Sequence, residues 1–285
     1  MKAPLTFSFE LFPPRTPEAQ AKLPGTIAQL AALRPSYFSV TQGAGGSDQE
    51  GTYKTLLTVV KECGVETAPH LTCIGSTRAK IAEQLQRYRK AGVRRIVALR
   101  GDLPATALSP AAPGEFRYAN ELVSFIRAEH GGWFRIAVAA YPEMHPQASR
   151  PGEDFDNFRR KVEAGADEAL TQLFYNADAY FDFMERCTAA GIAIPIVPGI
   201  MPITGYTNTV RFCSGCGADL PRWVRLRLEE LEGDKPALVD FGIGVVTRLC
   251  ETLLRGGAPG LHFYTINQAG PALRLWKNLG LPVRL

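Results

Sequence analysis

The chain of 285 residues lacks long hydrophobic runs and an excess of either charge. No stretch approaches the roughly 18 apolar residues that a membrane-spanning helix needs, and the N-terminal MKAPLTFSFELFPPR lacks the apolar core of a signal peptide. The 32 Lys and Arg against 28 Asp and Glu give a net charge of +4, and the basic residues are scattered. These absences predict a cytoplasmic protein with no membrane and no nucleic-acid partner.

The signature motifs of several enzyme classes are also missing. There is no GxGxxG between a predicted strand and a helix, no P-loop, no GxSxG and no Schiff-base lysine at a predicted strand end. The few histidines show no ligand spacing, so no metal site is predicted; they are His70, His130, His145 and His262. Cys213 and Cys216 have CxxC spacing without a second pair, which is weak evidence for a metal or redox site.

The chain does contain a regular alternation of short apolar runs with amphipathic stretches. Such runs are typical of strands buried on both faces, as in parallel sheets. Eight strands are predicted, with helices between them, at 7–12, 37–41, 67–73, 96–99, 135–141, 168–174, 195–200 and 260–266. Eight βα units without a linker predict an α/β protein with one (β/α)8 TIM barrel over residues 1–285. A doubly wound open sheet is the alternative, but its glycine-rich phosphate motif is absent.

Polar side chains follow nearly every predicted strand at its C-terminal end, where barrel enzymes carry their active sites. Any one of them is more often a hydrogen-bonded structural group, but together they predict a polar mouth. Glu10 stands out because it lies between Phe9 and Leu11 in an aromatic-rich strand, where a carboxyl group loses solvating water. That setting suits a general acid. The alternative is a structural ion pair with a Lys or Arg.

The segment after the fifth predicted strand, HPQASRPGEDFDNFRRK, carries a histidine, acids and the Arg160-Lys161 pair early in a helix. This set suits the diphosphate and ribose of a cofactor held by barrel loops. A solvated helix face is the alternative interpretation.

Several segments, in order and nearly end to end, resemble the methylenetetrahydrofolate reductase family. They read FSFELFPPR, FSVTQGAGG, APHLTC, IVALRGDLP, AAYPEMHPQA, DNFRRKVEAGAD, TQLFYN, IVPGIMPI and LHFYTIN. The resemblance implies a (β/α)8 barrel that holds FAD non-covalently. It implies reduction of 5,10-methylenetetrahydrofolate to 5-methyltetrahydrofolate by NADH or NADPH, with ping-pong hydride transfer through the flavin, in one-carbon and methionine metabolism. A homo-oligomer is expected, with its subunit number left open.

The resemblance also implies roles for individual residues. Glu10 resembles the general acid that opens the folate's five-membered ring, Asp102 the carboxylate beside flavin and pterin, and Gln172 the pterin-binding glutamine. Gln268 stands where arginine is common near the folate's glutamate tail, and Tyr206 where phenylalanine is common against the substrate. The positions that resemble FAD-binding residues are Thr41, His70, Arg100, Gly101, Asp102, Tyr118, Ala140, Tyr141, His145, Asp154, Asn157, Arg160 and Lys161.

Two other classes of protein are weighed against this interpretation. A barrel lyase or aldolase without flavin would need a lysine or metal set that the sequence does not offer. A non-catalytic barrel that acts as a binding partner is disfavoured by Glu10, Asp102 and Gln172. The choice between NADH and NADPH stays open, because the chain has no Rossmann motif whose acidic or basic residue could discriminate them.

Overall fold

Strands and helices alternate along the chain as the apolar pattern predicts. The structure is a computed structural model that describes residues 4–43, 49–102 and 114–281; residues 44–46 of FSVTQGAGG and 103–104 of IVALRGDLP therefore lie outside it. The strands are β1 (Thr6–Leu11), β2 (Tyr37–Val40), β3 (Thr67–Thr72), β4 (Arg95–Leu99), β5 (Arg135–Ala140), β6 (Glu168–Thr171), β7 (Ile196–Val197), β8 (Gly199–Ile200) and β9 (Gly260–Tyr264).

The helices of the described ranges lie between the strands and after the last one. They are α1 (Pro17–Ala31), α2 (Gln49–Cys63), α3 (Arg78–Lys90), α4 (Ala119–His130), α5 (Pro151–Glu163), α6 (Ala177–Ala189), α7 (Tyr206–Cys216), α8 (Arg222–Glu230), α9 (Lys235–Arg255) and α10 (Ala269–Asn278). Helix α5 has Pro151 in its first turn, where the missing N–H costs nothing.

The strand segments form one parallel sheet in the order β7-β6-β5-β4-β3-β2-β1-β9-β8. The terminal members, β7 and β8, are the two halves of the predicted strand 195–200, separated by Pro198, which has no N–H to donate. The first half pairs with β6 and the second with β9, and the Pro198 carbonyl accepts a hydrogen bond from His262 N. The sheet thus returns on itself as a nearly closed barrel, which confirms the predicted fold class.

Successive side chains of each strand face alternately the helices and the barrel interior. On the helix side, Phe9 of β1 stacks on Phe263 of β9 with ring centroids 5.4 Å apart, and Trp276 of α10 packs against both rings. On the inner side, a separate apolar cluster fills the barrel beneath its mouth and consists of Tyr37, Ala68, Val97, Ala137, Leu170 and Val197. The polar groups above this cluster therefore sit on a packed floor.

An ion-pair network closes the opposite, N-terminal end of the barrel. Glu168, the first residue of β6, is 2% exposed and accepts hydrogen bonds from Arg95 Nη1 of β4 and from Arg135 Nε of β5, the latter at 3.0 Å. Arg95 also lies 3.4 Å from Glu66, and its guanidinium is 4.3 Å from the ring centroid of Tyr37. Each buried charge has an opposite charge beside it, as burial requires.

We expect Glu168→Gln to destabilise the fold by about 3 kcal/mol, because it leaves the buried Arg95 with only the more distant and less buried Glu66 as a counter-charge. The free energy of unfolding in urea measures this. Asp240→Asn, which breaks an exposed pair with Arg274 at 2.7 Å, is the matched control and should change little. Equal effects of the two substitutions would contradict the structural role of the network.

Candidate active site

Glu10 lies inside the barrel, near the C-terminal end of β1, and is 6% exposed. Its neighbours are two histidines from different strands. The Glu10 Oε2 atom is 3.4 Å from His70 Nε2 on β3 and 3.7 Å from His262 Nε2 on β9. Among the described residues no Lys or Arg forms an ion pair with it, so the alternative of a structural pair with a basic side chain is not what the structure shows.

His262 is fully buried below Glu10 and belongs to a chain of polar contacts. Its Nδ1 lies 2.7 Å from Ser8 Oγ and its Nε2 lies 3.3 Å from Ser39 Oγ. The ring of Tyr264 stands perpendicular to it, with centroids 5.3 Å apart. His262 was not predicted to be a site residue, although it lies two positions before Tyr264 on the same face of β9.

His70 is electrically neutral at pH 7 in this setting. Burial lowers its pKa to about 4, although the negative charge of Glu10 opposes that shift. Its Nε2 approaches Glu10 without the alignment of a hydrogen bond and has no other partner in the described ranges. In an uncharged imidazole one ring nitrogen is a donor and the other an acceptor, so Nε2 can either donate a hydrogen bond to a polar ligand or accept one from it.

Two further buried polar atoms beside His70 have no hydrogen-bond partner among the described residues: Gln42 Nε2 and Thr72 Oγ1. Gln42, which follows β2, uses its Oε1 to accept a hydrogen bond from Thr72 N at 2.9 Å, so its amide group is held in place. Buried polar atoms are nearly always satisfied by protein, water or ligand. The ends of β2 and β3 therefore present groups suited to a polar ligand.

Gly101 follows β4 and brings its backbone against β3. Its φ is +89°, and a Cβ built on it would lie 3.0 Å from both Thr72 Cβ and Ile74 Cγ2. Only glycine combines that backbone angle with that approach. Asp102, the next residue, is exposed at the mouth.

The predicted cofactor-binding residues after β5 form a second cluster. Asp154 Oδ2 accepts a hydrogen bond from His145 N at 3.1 Å, and the rings of Tyr141 and His145 are perpendicular with centroids 4.6 Å apart. Burial raises the pKa of Tyr141 to about 12, and the charges of Asp102 and Asp154 add to that shift. Burial lowers the pKa of His145, and the nearby Arg100 guanidinium lowers it further.

Two cations border this cluster. Lys161 Nζ donates to the Ala139 carbonyl at 2.5 Å; burial lowers the pKa of Lys161 to about 8, opposed by the charge of Asp154. Arg100 Nη2 donates to Gln147 Oε1 at 2.5 Å. The prediction that Arg160 and Lys161 lie early in a helix is wrong, because both are in the last turn of α5. Side-chain cations such as Lys161 and Arg100 are the donors that a diphosphate needs.

The roles of the remaining predicted residues stay predictions. Gln172 follows β6 and is half-buried, and its backbone N–H donates a hydrogen bond to the Ala140 carbonyl at 2.7 Å. Thr41 is half-buried at the end of β2. The others are spread over helix starts and exposed faces: Tyr118 before α4, Asn157 and Arg160 on α5 with a 2.9 Å hydrogen bond between them, Tyr206 at the start of α7, and Gln268 before α10.

The CxxC pair lies on α7, with Cys213 buried and Cys216 half-buried; both are free thiols. Burial raises the pKa of Cys213 to about 12. A thiol that resists ionisation is a poor nucleophile and a poor metal ligand.

A barrel with its apolar floor and with ionisable groups gathered above the C-terminal ends of its strands has the architecture of a TIM-barrel enzyme. The family model described as methylenetetrahydrofolate reductase matches residues 2–280. The chain therefore belongs to the methylenetetrahydrofolate reductase family.

Relatives with curated names agree with this assignment. The 5,10-methylenetetrahydrofolate reductases of Pectobacterium carotovorum and Escherichia coli K12 are 37% and 36% identical, over 97% of this chain and 91% of theirs. A rice protein named probable methylenetetrahydrofolate reductase (NADH) is 37% identical over 96% of this chain and 48% of its own length. These names are those of oxidoreductases, which confirms the predicted enzyme class.

Solved structures support the fold. A Clostridium thermocellum protein described as binding two copies of 5-methyl-5,6,7,8-tetrahydrofolic acid superposes with a TM-score of 0.66 at 15% identity, covering 98% of this chain and 96% of that one. At this identity the likeness concerns the fold alone. Within the described ranges, no helix is long and apolar enough to cross a membrane.

We expect His70 to make the free energy of unfolding depend on pH between pH 5 and pH 7. Its pKa of about 4 in the folded state lies below the ordinary 6.5. Between these two values the unfolded chain binds a proton at this histidine and the folded chain does not. The free energy of unfolding therefore decreases as the pH is lowered from 7. From pH 7 to pH 5 the wild type should lose about 2 kcal/mol more than His70→Gln. Urea titrations at the two pH values measure this; parallel losses in both proteins would contradict it.

Proposed function

We propose that this chain is an FAD-dependent 5,10-methylenetetrahydrofolate reductase that forms 5-methyltetrahydrofolate with NADH or NADPH as the reductant. The observation that carries the proposal is the buried carboxyl group of Glu10 at the mouth of the barrel, 3.4 Å and 3.7 Å from two histidines, in a chain of this family. Opening the five-membered ring of the substrate requires a proton on a folate nitrogen, and a desolvated carboxyl group is a suitable donor.

The residues present fit FAD. The unpartnered atoms of Gln42, His70 and Thr72 offer hydrogen bonds to the polar edge of a flavin, and the close packing of Gly101 on Thr72 and Ile74 holds the end of β4 against the end of β3. Arg100 and Lys161 would hold the diphosphate. When bound, FAD supplies the hydride relay of a ping-pong reaction, from the nicotinamide to the folate.

Side chains on the rim complete the proposed FAD site. Tyr141, His145 and Asp154 lie in contact around the segment after β5 and would border the ribose and the flavin. The outlying positions would contact the rest of the cofactor; they are Thr41, Tyr118, Ala140, Asn157 and Arg160.

The folate would lie across the same mouth. Asp102, exposed beside Gly101, would stabilise positive charge on the opened substrate, and the half-buried Gln172 would hydrogen-bond the pterin. Tyr206 would pack against the substrate. The amide of Gln268, in place of an arginine, would bind the glutamate tail without a formal charge.

We further infer that the electron donor is a nicotinamide nucleotide. The support comes from plant relatives whose names carry NADH, including the rice and maize proteins. Bleaching of the bound flavin by NADH and by NADPH, in separate anaerobic cuvettes, would identify the preferred donor.

We expect the purified protein to be yellow and to release FAD on denaturation, because Lys161 and Arg100 match a diphosphate that FMN lacks. Chromatography of the released flavin checks this. Lys161→Met should weaken FAD binding roughly 10-fold or more, since a charge-assisted hydrogen bond is lost, whereas Lys277→Met on the exposed face of α10 should not. Recovery of FMN alone, or of no flavin after reconstitution, would refute the FAD assignment, and a colourless protein would favour a barrel lyase.

We expect Glu10→Gln to separate the two half-reactions. Flavin reduction by NAD(P)H donates no proton to folate and should be nearly unchanged, whereas reoxidation by methylenetetrahydrofolate should slow by about 10²- to 10⁴-fold, the typical contribution of a general acid. Stopped-flow absorbance of the flavin measures both rates.

The amide of Glu10→Gln preserves the side-chain volume, so the packing between Phe9 and Leu11 is kept. Glu230→Gln on the exposed face of α8 is the control and should leave both rates unchanged. Reoxidation at the wild-type rate in Glu10→Gln would show that Glu10 is not the acid. A lower melting temperature with equal losses in both half-reactions would indicate a structural role only.

A further inference from the structure

The turn between β9 and α10, residues 265–267, is bound to the end of β1 beyond the last paired residues of the two strands. Thr265 Oγ1 donates a hydrogen bond to the backbone carbonyl of Glu10 at 2.6 Å. The side-chain amide of Asn267 binds both backbone polar groups of Phe12: Oδ1 accepts from Phe12 N at 2.9 Å, and Nδ2 donates to Phe12 O at 2.8 Å. The backbone on both sides of Leu11 is therefore fixed by side chains of this turn.

The turn adopts an unusual backbone conformation to make these contacts. Ile266 and Asn267 have φ values of 49° and 54°, in the left-handed region that a β-branched residue such as isoleucine rarely enters. The conformation is held from within, because Asn267 N donates to Thr265 Oγ1 at 3.2 Å and Gln268 N donates to Thr265 O at 2.8 Å. Strained backbone that is fixed from several sides is concentrated at functional sites.

The Glu10 carboxylate itself has few direct constraints. In the described part of the chain, its close polar neighbours are His70 at 3.4 Å and His262 at 3.7 Å, both beyond the usual range of a charge-assisted hydrogen bond. Its position must therefore come from its backbone. That backbone is set by the pairing of β1 with β2 and β9 and by the turn that binds the Glu10 carbonyl.

We propose that Asn267 and Thr265 are positioning residues that hold the Glu10 carboxyl group where the folate needs its proton. This inference rests on the proposed function. The left-handed conformation of Asn267 supplies the geometry for its amide to reach Phe12, and Thr265 joins the same turn to Glu10 itself.

Asn267→Gly tests the proposal without adding strain, because glycine adopts the left-handed conformation freely and removes only the two side-chain hydrogen bonds. Flavin reoxidation by methylenetetrahydrofolate should slow by about 10- to 100-fold, as expected for a displaced catalytic group, while flavin reduction by NAD(P)H should be unchanged. Asn278→Ala, at the C-terminal end of α10, is the matched control; it removes a 3.2 Å hydrogen bond to Thr247 and should alter neither rate.

Thr265→Val and Thr265→Ser provide a second test, at the side chain that joins the turn to Glu10. Valine removes the hydroxyl that binds Glu10 O and should reproduce the selective loss, and serine, which restores that hydroxyl, should recover most of the rate. Failure of serine to recover the rate would overturn the proposal, as would slowing of both half-reactions together with a lower melting temperature.

Amide hydrogen exchange supplies a readout that needs no turnover. Asn267→Gly should speed exchange at the Phe12 amide, followed by mass spectrometry of peptides around residue 12, and Asn278→Ala should not. Unchanged exchange together with unchanged reoxidation would overturn the proposal. If the wild type does not reduce methylenetetrahydrofolate, the proposed function fails, whereas the exchange of Phe12 still reports whether the turn fixes the end of β1.

Discussion

The parallel pairing of β1 with β9 joins the first and the last strand of the described chain, and the rest of the structure depends on it. The close approach begins where Thr6 N donates to Pro259 O at 2.9 Å and continues through five register pairs up to Glu10 and Tyr264. Gly260, with φ +149°, lies so close to Thr6 that a Cβ at this position would overlap the Thr6 carbonyl oxygen. This seam brings Ser8, His262 and Glu10 onto one inner surface.

The buried carboxylate of Glu168 at one end of the barrel is paired within the protein, whereas several buried polar atoms at the other end are not. At the N-terminal end, Glu168 is bound by Arg95 and Arg135, so its charge is compensated within the protein. At the C-terminal end, Gln42 and His70 keep buried polar atoms without partners in the described ranges. A fully compensated network suits stability, whereas unsatisfied donors and acceptors suit ligand binding. This matches the usual pattern of the fold, in which the C-terminal end of the barrel carries the active site and the N-terminal end serves stability.

Much of this arrangement could be predicted from local sequence patterns. The alternation of apolar runs and helices predicts the barrel, and the position of Glu10 at a strand end predicts its place at the mouth. The split at Pro198 follows from proline's missing N–H, but it was not predicted, because the apolar run around it looks continuous. His262 was missed as a site residue because its partners Ser8 and Ser39 are 254 and 223 positions away in the sequence, and such contacts are fixed by strand register rather than by any local pattern.

The pairing of β1 with β9 also has a consequence during synthesis of the chain on the ribosome. Chains are made from the N-terminus at about 5–20 residues per second, and the partner that covers one edge of β1 is not complete until residue 264 has been added. Until then, β1 can pair only with β2, and a row of its backbone N–H and C=O groups stays open to other strands. Contacts this distant in sequence also form slowly. The strand that carries Glu10 is thus made long before the strand that encloses its second edge.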